Sequence, residues 1–116
     1  MLSWCLVVLF ATNRSHATSS SLRLVFVGQC RYGIWSTGDG SVIARNTVLH
    51  SAQHGLLIQG GRTLVEGNQA SWNYGCGLSF TGSYGTNAYR DNMLRGNGTG
   101  SVCVPGTNTD AGGNLY

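Results

Sequence analysis

The chain has no lysine, one proline and only four acidic residues, Asp39, Glu66, Asp91 and Asp110. Each shortage excludes something. The seven basic residues are all arginine and lie scattered, so a net charge of +3 builds no basic cluster of the kind that tracks a nucleic-acid backbone. Charged residues are 9% of the chain against 41% hydrophobic, the wrong balance for an intrinsically disordered segment. No Cys-x-x-Cys spacing marks a metal site, and nothing implies a cofactor. The apolar run from Leu2 to Ala11 is too short to span a bilayer. At 116 residues there is room for one domain.

What is abundant is glycine, at 18 residues, together with Asn, Ser and Thr, a mixture that suits a turn-rich β protein. A repeat organises it. The stretch from Ser41 to Gly82 lies over itself at a shift of 22, with Val42-Ile43 over Leu64-Val65, Asn46 over Asn68, Val48 over Ala70, Gly55-Leu56 over Gly77-Leu78 and Gly60 over Gly82. Gly33-Ile34 precedes by 22 and Asn92-Met93-Leu94 follows by 24. Such a period holds about three short strands separated by turns and is too short for a helix hairpin. It lacks the leucine ladder of a leucine-rich repeat.

The recurring Asn-x-Val/Ala/Leu at Asn46, Asn68 and Asn92, with the Gly-aliphatic step at Gly33, Gly55 and Gly77, resembles the right-handed parallel β-helix family, the pectin-lyase-like superfamily. The resemblance runs from about Cys30 to Val104. It implies an all-β fold, a right-handed parallel β-helix (solenoid) of about four coils of 22–24 residues, as a fragment or a short member. Residues 22 apart then stack at ~4.8 Å. Asn46, Asn68 and Asn92 would pass amide hydrogen bonds from coil to coil, and Asn tolerates the left-handed conformation of a sharp corner. Alternation sends Ile34, Leu56, Leu78 and Val102 inward on a first sheet, with Ile58, Phe80 and Val104 beside them. A second sheet buries Ile43, Val65 and Tyr89, and a third buries Val48, Ala70 and Leu94.

The remaining segments fall around the coils. Residues 1–17 read as a secretory signal peptide ending at Ser15-His16-Ala17, without a positive n-region, or as an N-terminal capping helix with Leu2, Cys5, Leu6, Leu9 and Phe10 on one face. The first reading places the protein outside the cytoplasm. Residues 18–29 form a linker and a degenerate first coil, in which Leu24 stands where Asn would recur. Residues 30–104 are the coils, and residues 105–116 a polar, Gly-rich cap or frayed tail. Among Cys5, Cys30, Cys76 and Cys103 no pair shares a column of adjacent coils, which predicts free or buried thiols. Asn13-Arg14-Ser15 and Asn97-Gly98-Thr99 are glycosylation sequons, a pattern of high chance frequency.

For function, the resemblance directs attention to a groove along the outward face of the first sheet, here Trp35, Leu57, Ser79 and Cys103. That face carries no carboxylate, His or Arg. Family lyases use calcium-binding Asp and an Arg base, and family glycosidases use clustered Asp. Here the four acids occupy different columns, so paired carboxylates at working distance are not expected. His54-Gly55 resembles part of the Gly-His-Gly motif of polygalacturonases, but Gln53 replaces the first Gly and the partner acids are missing; His54 reads as a corner residue. Binding candidates are stronger than catalytic ones: Trp72, Tyr74 and Tyr84 in turns beside the first sheet, His50 in the Trp72 column, and Arg62 and Arg95 nearby, with Trp35 on the sheet. Aromatic faces with Arg can stack on a sugar and hold a carboxylate. Alternatively Trp72 plugs a core corner and Tyr74 is a plain surface residue. The sequence thus indicates a non-catalytic repeat module, structural or binding a polysaccharide. The other class is a fragment of a polysaccharide lyase or glycoside hydrolase.

Overall fold

The computed structural model describes residues 21–22, 25–27, 30–81, 86–103 and 107–116. Among the described residues the short apolar runs become twelve strands, and there is no helix. They are β1 (Ser21–Leu22), β2 (Val25–Val27), β3 (Ile34–Ser36), β4 (Val42–Ala44), β5 (Thr47–Leu49), β6 (Leu56–Ile58), β7 (Leu64–Glu66), β8 (Gln69–Ser71), β9 (Cys76–Phe80), β10 (Ala88–Arg90), β11 (Gly100–Cys103) and β12 (Thr109–Asp110). Every pairing is parallel, and each strand pairs with the one a coil away. The result is a solenoid with three sheets. The first is β3-β6-β9-β11, the second β1-β4-β7-β10-β12, the third β2-β5-β8. The third sheet continues as single bridges from Gln69 to Met93 and from Met93 to Leu115.

The register is the one the repeat predicts. Leu56 pairs with Ile34 and Leu78, Ile43 with Val65, and Val48 with Ala70. The inward residues form one cluster: Ile34, Leu56, Leu78, Ile58, Phe80, Ile43, Val65, Tyr89, Val48, Ala70 and Leu94, all at most 5% exposed. Val102 packs against it half-buried. Val104 and the N-terminal segment of residues 1–17 lie outside the described residues.

The corners explain why the coils stay in step. At each one a residue with positive φ turns the chain: Gly40 and Arg62 between the first and second sheets; Arg45, Gly67, Asp91 and Gly113 between the second and third; His50, Trp72 and Gly96 between the third and first. The left-handed position is therefore not taken by the ladder Asn, as expected from the sequence, but by the residue before it. Asn stays free to use its side chain as a clamp. The Oδ1 of Asn68 accepts the backbone N–H of Asn46 at 2.9 Å, and its Nδ2 donates to the Ile43 carbonyl at 2.8 Å. One amide thus satisfies both ends of the tight corner in the coil before it, where the sheet ladder is interrupted. Asn92 does the same for Asn68 and Val65, and Asn114 for Asn92 and Tyr89.

Two further ladders run at the other corners. Asn73 accepts from the Ser51 N–H, and Asn97 from the Asn73 N–H while donating to the Ala70 carbonyl. Asn87 accepts from the Thr63 N–H, and Asn108 from the Asn87 N–H. Asn97 is thus a ladder residue of its own column, and its Nδ2 is engaged within the sequon. The segment read as a cap or tail continues the stack, because β12 pairs with β10 and Asn114 extends the first ladder.

The cysteines depart from expectation. Cys76 and Cys103 form a disulfide with Cα atoms 6.1 Å apart, Cys30 is disulfide-bonded as well, and among the described residues no cysteine is free. A column alignment misses the Cys76–Cys103 bridge because it runs diagonally. Its separation of 27 exceeds the coil spacing; Gly100 is what lies opposite Cys76 in the ladder. Adjacent coils are within disulfide reach even when the residues are offset.

Asn68→Ala strips partners from the Asn46 N–H and the Ile43 carbonyl at once. A loss of about 1–3 kcal/mol is expected. Asn97→Ala should also destabilise, whereas Thr37→Ala, an exposed position, should stay within about 0.5 kcal/mol of wild type. Chemical denaturation curves check this; an Asn68 variant as stable as the Thr37 variant would show that the ladder carries no stability.

Candidate functional site

The corner between the third and first sheets gathers most of the sequence candidates. After β8 the chain turns through Trp72 at φ 60°, in the column of His50 at φ 63° and Gly96 at φ 71°. A left-handed tryptophan is unusual, since Cβ crowds the backbone there. Here the corner clamp holds it, because the Asn73 N–H next to it is bound by Asn97 at 3.0 Å. The turn forces the indole outward, so that Trp72 is 59% exposed and Tyr74 73%.

His50, Trp72 and Tyr74 line one cleft with Asn73, Gly96 and Gly98, of 360 Å³. Trp72 also lines a second, of 540 Å³, with Arg95, Gln69, Ser71, Met93, Gly96 and Tyr116. The indole is therefore a ridge between two clefts. Gly96 lies against the six-membered part of the ring, where a Cβ would strike Trp72 Cε3 and Cζ3. Of the two readings of Trp72, the core plug fails, because the side chain is more exposed than buried.

Other candidates stand apart. Arg62 belongs to the Gly40 column, at the corner between the first and second sheets, and lines neither cleft. Trp35 is half-buried on the first sheet and donates its indole N–H to Gln59 Oε1 at 2.7 Å. Tyr84 lies outside the described residues. The expected groove along Trp35, Leu57, Ser79 and Cys103 is not open: Leu57 is 4% exposed and Ser79 2%. An apolar Leu at an outward position gains about 1.5–3 kcal/mol by leaving water. Cys103 is tied to Cys76.

One cluster was not read from the sequence. His54 stacks on Tyr32 with centroids 5.9 Å apart and planes at 14°, and Trp35 meets Tyr32 edge-on at 5.9 Å. Tyr32 and His54 are 22 apart, so the repeat itself encodes this contact.

Three of the four acids do structural work. Asp39 accepts the Gly61 N–H at 2.8 Å, and Glu66 pairs with Arg90 at 2.7 Å. Asp110 takes hydrogen bonds from Tyr116, Gly112 and Asn114, and the Tyr116 hydroxyl foremost holds its carboxyl below the usual range. Among the described residues no group of three or more His, Cys, Asp and Glu could hold a metal ion. In contrast to these acids, His50, Trp72, Tyr74 and Arg95 turn their side chains to a cleft. Flat rings flanked by hydrogen-bonding cationic groups can take the apolar face of a ring and its polar rim together.

Residues 9–114 match the family described as "Right handed beta helix region". Searches of curated proteins and of solved structures gave no match.

Gly96→Ala should both strain a left-handed backbone and displace the Trp72 ring. Gly40→Ala is strained alike, at φ 70°, but meets nothing within 4 Å. The backbone term is about 1–2 kcal/mol in each. We expect the Gly96 variant to lose more and to change its tryptophan fluorescence, while the Gly40 variant keeps the wild-type spectrum. Identical spectra for all three proteins would contradict the packing of the indole on Gly96.

Proposed function

Because this chain belongs to the right-handed β-helix family, we propose that it is a non-catalytic repeat module that binds carbohydrate at the Trp72 corner. The observation that carries this reading is the indole itself, 59% exposed, held outward by a left-handed backbone and bordered by a cleft on each side. Exposed aromatic surface of this kind is unfavourable in water unless something covers it. A pyranose ring fits the requirement, with C–H groups on its face for Trp72 and Tyr74 and hydroxyls at its rim for His50 and the clefts' polar groups. Arg95 in the second cleft favours a carboxylate-bearing sugar there. The occupied carboxylates support a binding rather than a cleaving role. The disulfides support an oxidising compartment, and with it secretion through residues 1–17. Export of a reporter fused to those residues tests that part, and retention in the cytoplasm would sink it.

Titration with an oligogalacturonate and a neutral cello-oligosaccharide, followed by tryptophan fluorescence and calorimetry, tests the site. Trp72→Ala should cost about 2 kcal/mol, roughly 30-fold in affinity, as for a central aromatic contact. Arg95→Ala should weaken only the acidic ligand. Absence of binding to either class, or an unaffected Trp72 variant, would remove the reading. Release of new reducing or unsaturated ends from either substrate would replace it with an enzymatic one.

A further inference from the structure

The corner that presents Trp72 and Tyr74 is tied down by a histidine outside the clefts. Tyr32, His54 and Cys76 occupy one column, each 22 residues from the next. The Cys76 N–H donates to His54 Nδ1 at 3.0 Å. An imidazole nitrogen that accepts carries no proton, so this contact fixes the neutral ring with its proton on Nε2. The neighbouring residue is Gly75, where a Cβ would meet His54 Nδ1 and the Gln53 carbonyl, so the turn is pressed against the ring. Only four peptide bonds separate Trp72 from Cys76, and Tyr74 lies between them.

We propose that His54 is a pH latch for the Trp72–Tyr74 cleft: the neutral ring holds the turn of residues 72–76, and the imidazolium releases it. On protonation both ring nitrogens become donors, and Nδ1–H confronts the Cys76 N–H. The ring must then swing away, the N–H that starts β9 loses its acceptor, and the turn bearing Tyr74 is no longer fixed from that side. Among the described residues Tyr32 is stacked on the ring, and Arg31 lies over Tyr32, its guanidinium 5.7 Å from that centroid and its Nε donating to Gln53. Cys76, bridged to Cys103, does not titrate. Burial holds the His54 pKa below its ordinary 6.5. The folded state therefore takes up this proton less readily than the unfolded chain. The stabilisation is complete above about pH 6.5 and declines as pH falls from there to the lowered folded value.

This latch rests on the carbohydrate reading for its ligand alone, and its test separates the two. Thermal melts of the wild type and of His54→Asn are compared between about pH 7.5 and about pH 5. Asn places Oδ1 where Nδ1 stood and accepts the same N–H without titrating. The wild type should lose melting temperature toward acid, and the Asn variant should lose less. His50→Asn, which replaces a histidine of the cleft itself, should keep the wild-type acid loss. Fluorescence titration with oligogalacturonate at both pH values should show wild-type affinity falling on the order of tenfold, with His54→Asn nearly flat. Independently of any variant, 15N shifts of the wild-type imidazole should report an unprotonated Nδ1 at neutral pH. A proton on Nδ1 at neutral pH, or an equal acid loss in wild type and His54→Asn, overturns the latch. Failure of the oligosaccharide to bind at any pH overturns the carbohydrate reading, while the melts and the imidazole shifts still decide on His54.

Discussion

A parallel solenoid must turn its chain sharply three times per coil, and at each turn the backbone leaves the sheet with polar groups that no strand neighbour can reach. The structure solves this with one repeated device. An asparagine amide from the next coil accepts the N–H at the end of the corner and, in two of the three columns, donates to the carbonyl three residues before it: Asn68 to Asn46 and Ile43, Asn97 to Asn73 and Ala70. An unpaired buried amide costs about 1–3 kcal/mol. With three corners per coil, a misplaced register would incur that penalty several times, in addition to sending Ile43 or Val48 out of the core. The hydrophobic stack accounts for the burial, and the ladders account for the single register in which it occurs.

The sheets and the core were legible in the sequence because both follow from one number, the shift between Val42-Ile43 and Leu64-Val65. The first ladder was legible because Asn46 and Asn68 obey the same shift. The other two were not. Their columns hold Ser51 and Thr63 where the first holds Asn46, so each shows only two asparagines, Asn73 and Asn97 at 24 apart and Asn87 and Asn108 at 21 apart. The disulfide was missed for a related reason, since it crosses the columns rather than following one. The binding candidates were found in part. His50, Trp72, Tyr74 and Arg95 converge because they are consecutive around one corner or stacked at it, which periodicity encodes. Arg62 was assigned to the wrong corner, because nearness along the chain does not say on which of the three edges a residue emerges.

That corner also shows how architecture creates surface. The left-handed position is an obligation of the fold, filled by glycine at corners such as Gly67 and Gly113 and by Arg45, His50, Arg62, Trp72 and Asp91 at others. Where a large side chain occupies it, the geometry directs that side chain away from the coil. Trp72 is therefore exposed by the same constraint that keeps Asn73 buried at 2% exposure beside it. Stability and presentation are consecutive residues of one turn.

The Asn clamps all point the same way: the donor N–H belongs to the earlier coil and the acceptor to the later one. The stack is in this sense polar, like a roof on which every course of tiles is pinned by the one laid over it. A coil emerging during synthesis from the N-terminal side has its sheets paired to its predecessor but its corners unclamped. They close only when its successor arrives. Cooperativity between neighbours in such a chain is thus directional, and each coil owes its sharpest turns to residues not yet made when its strands first pair.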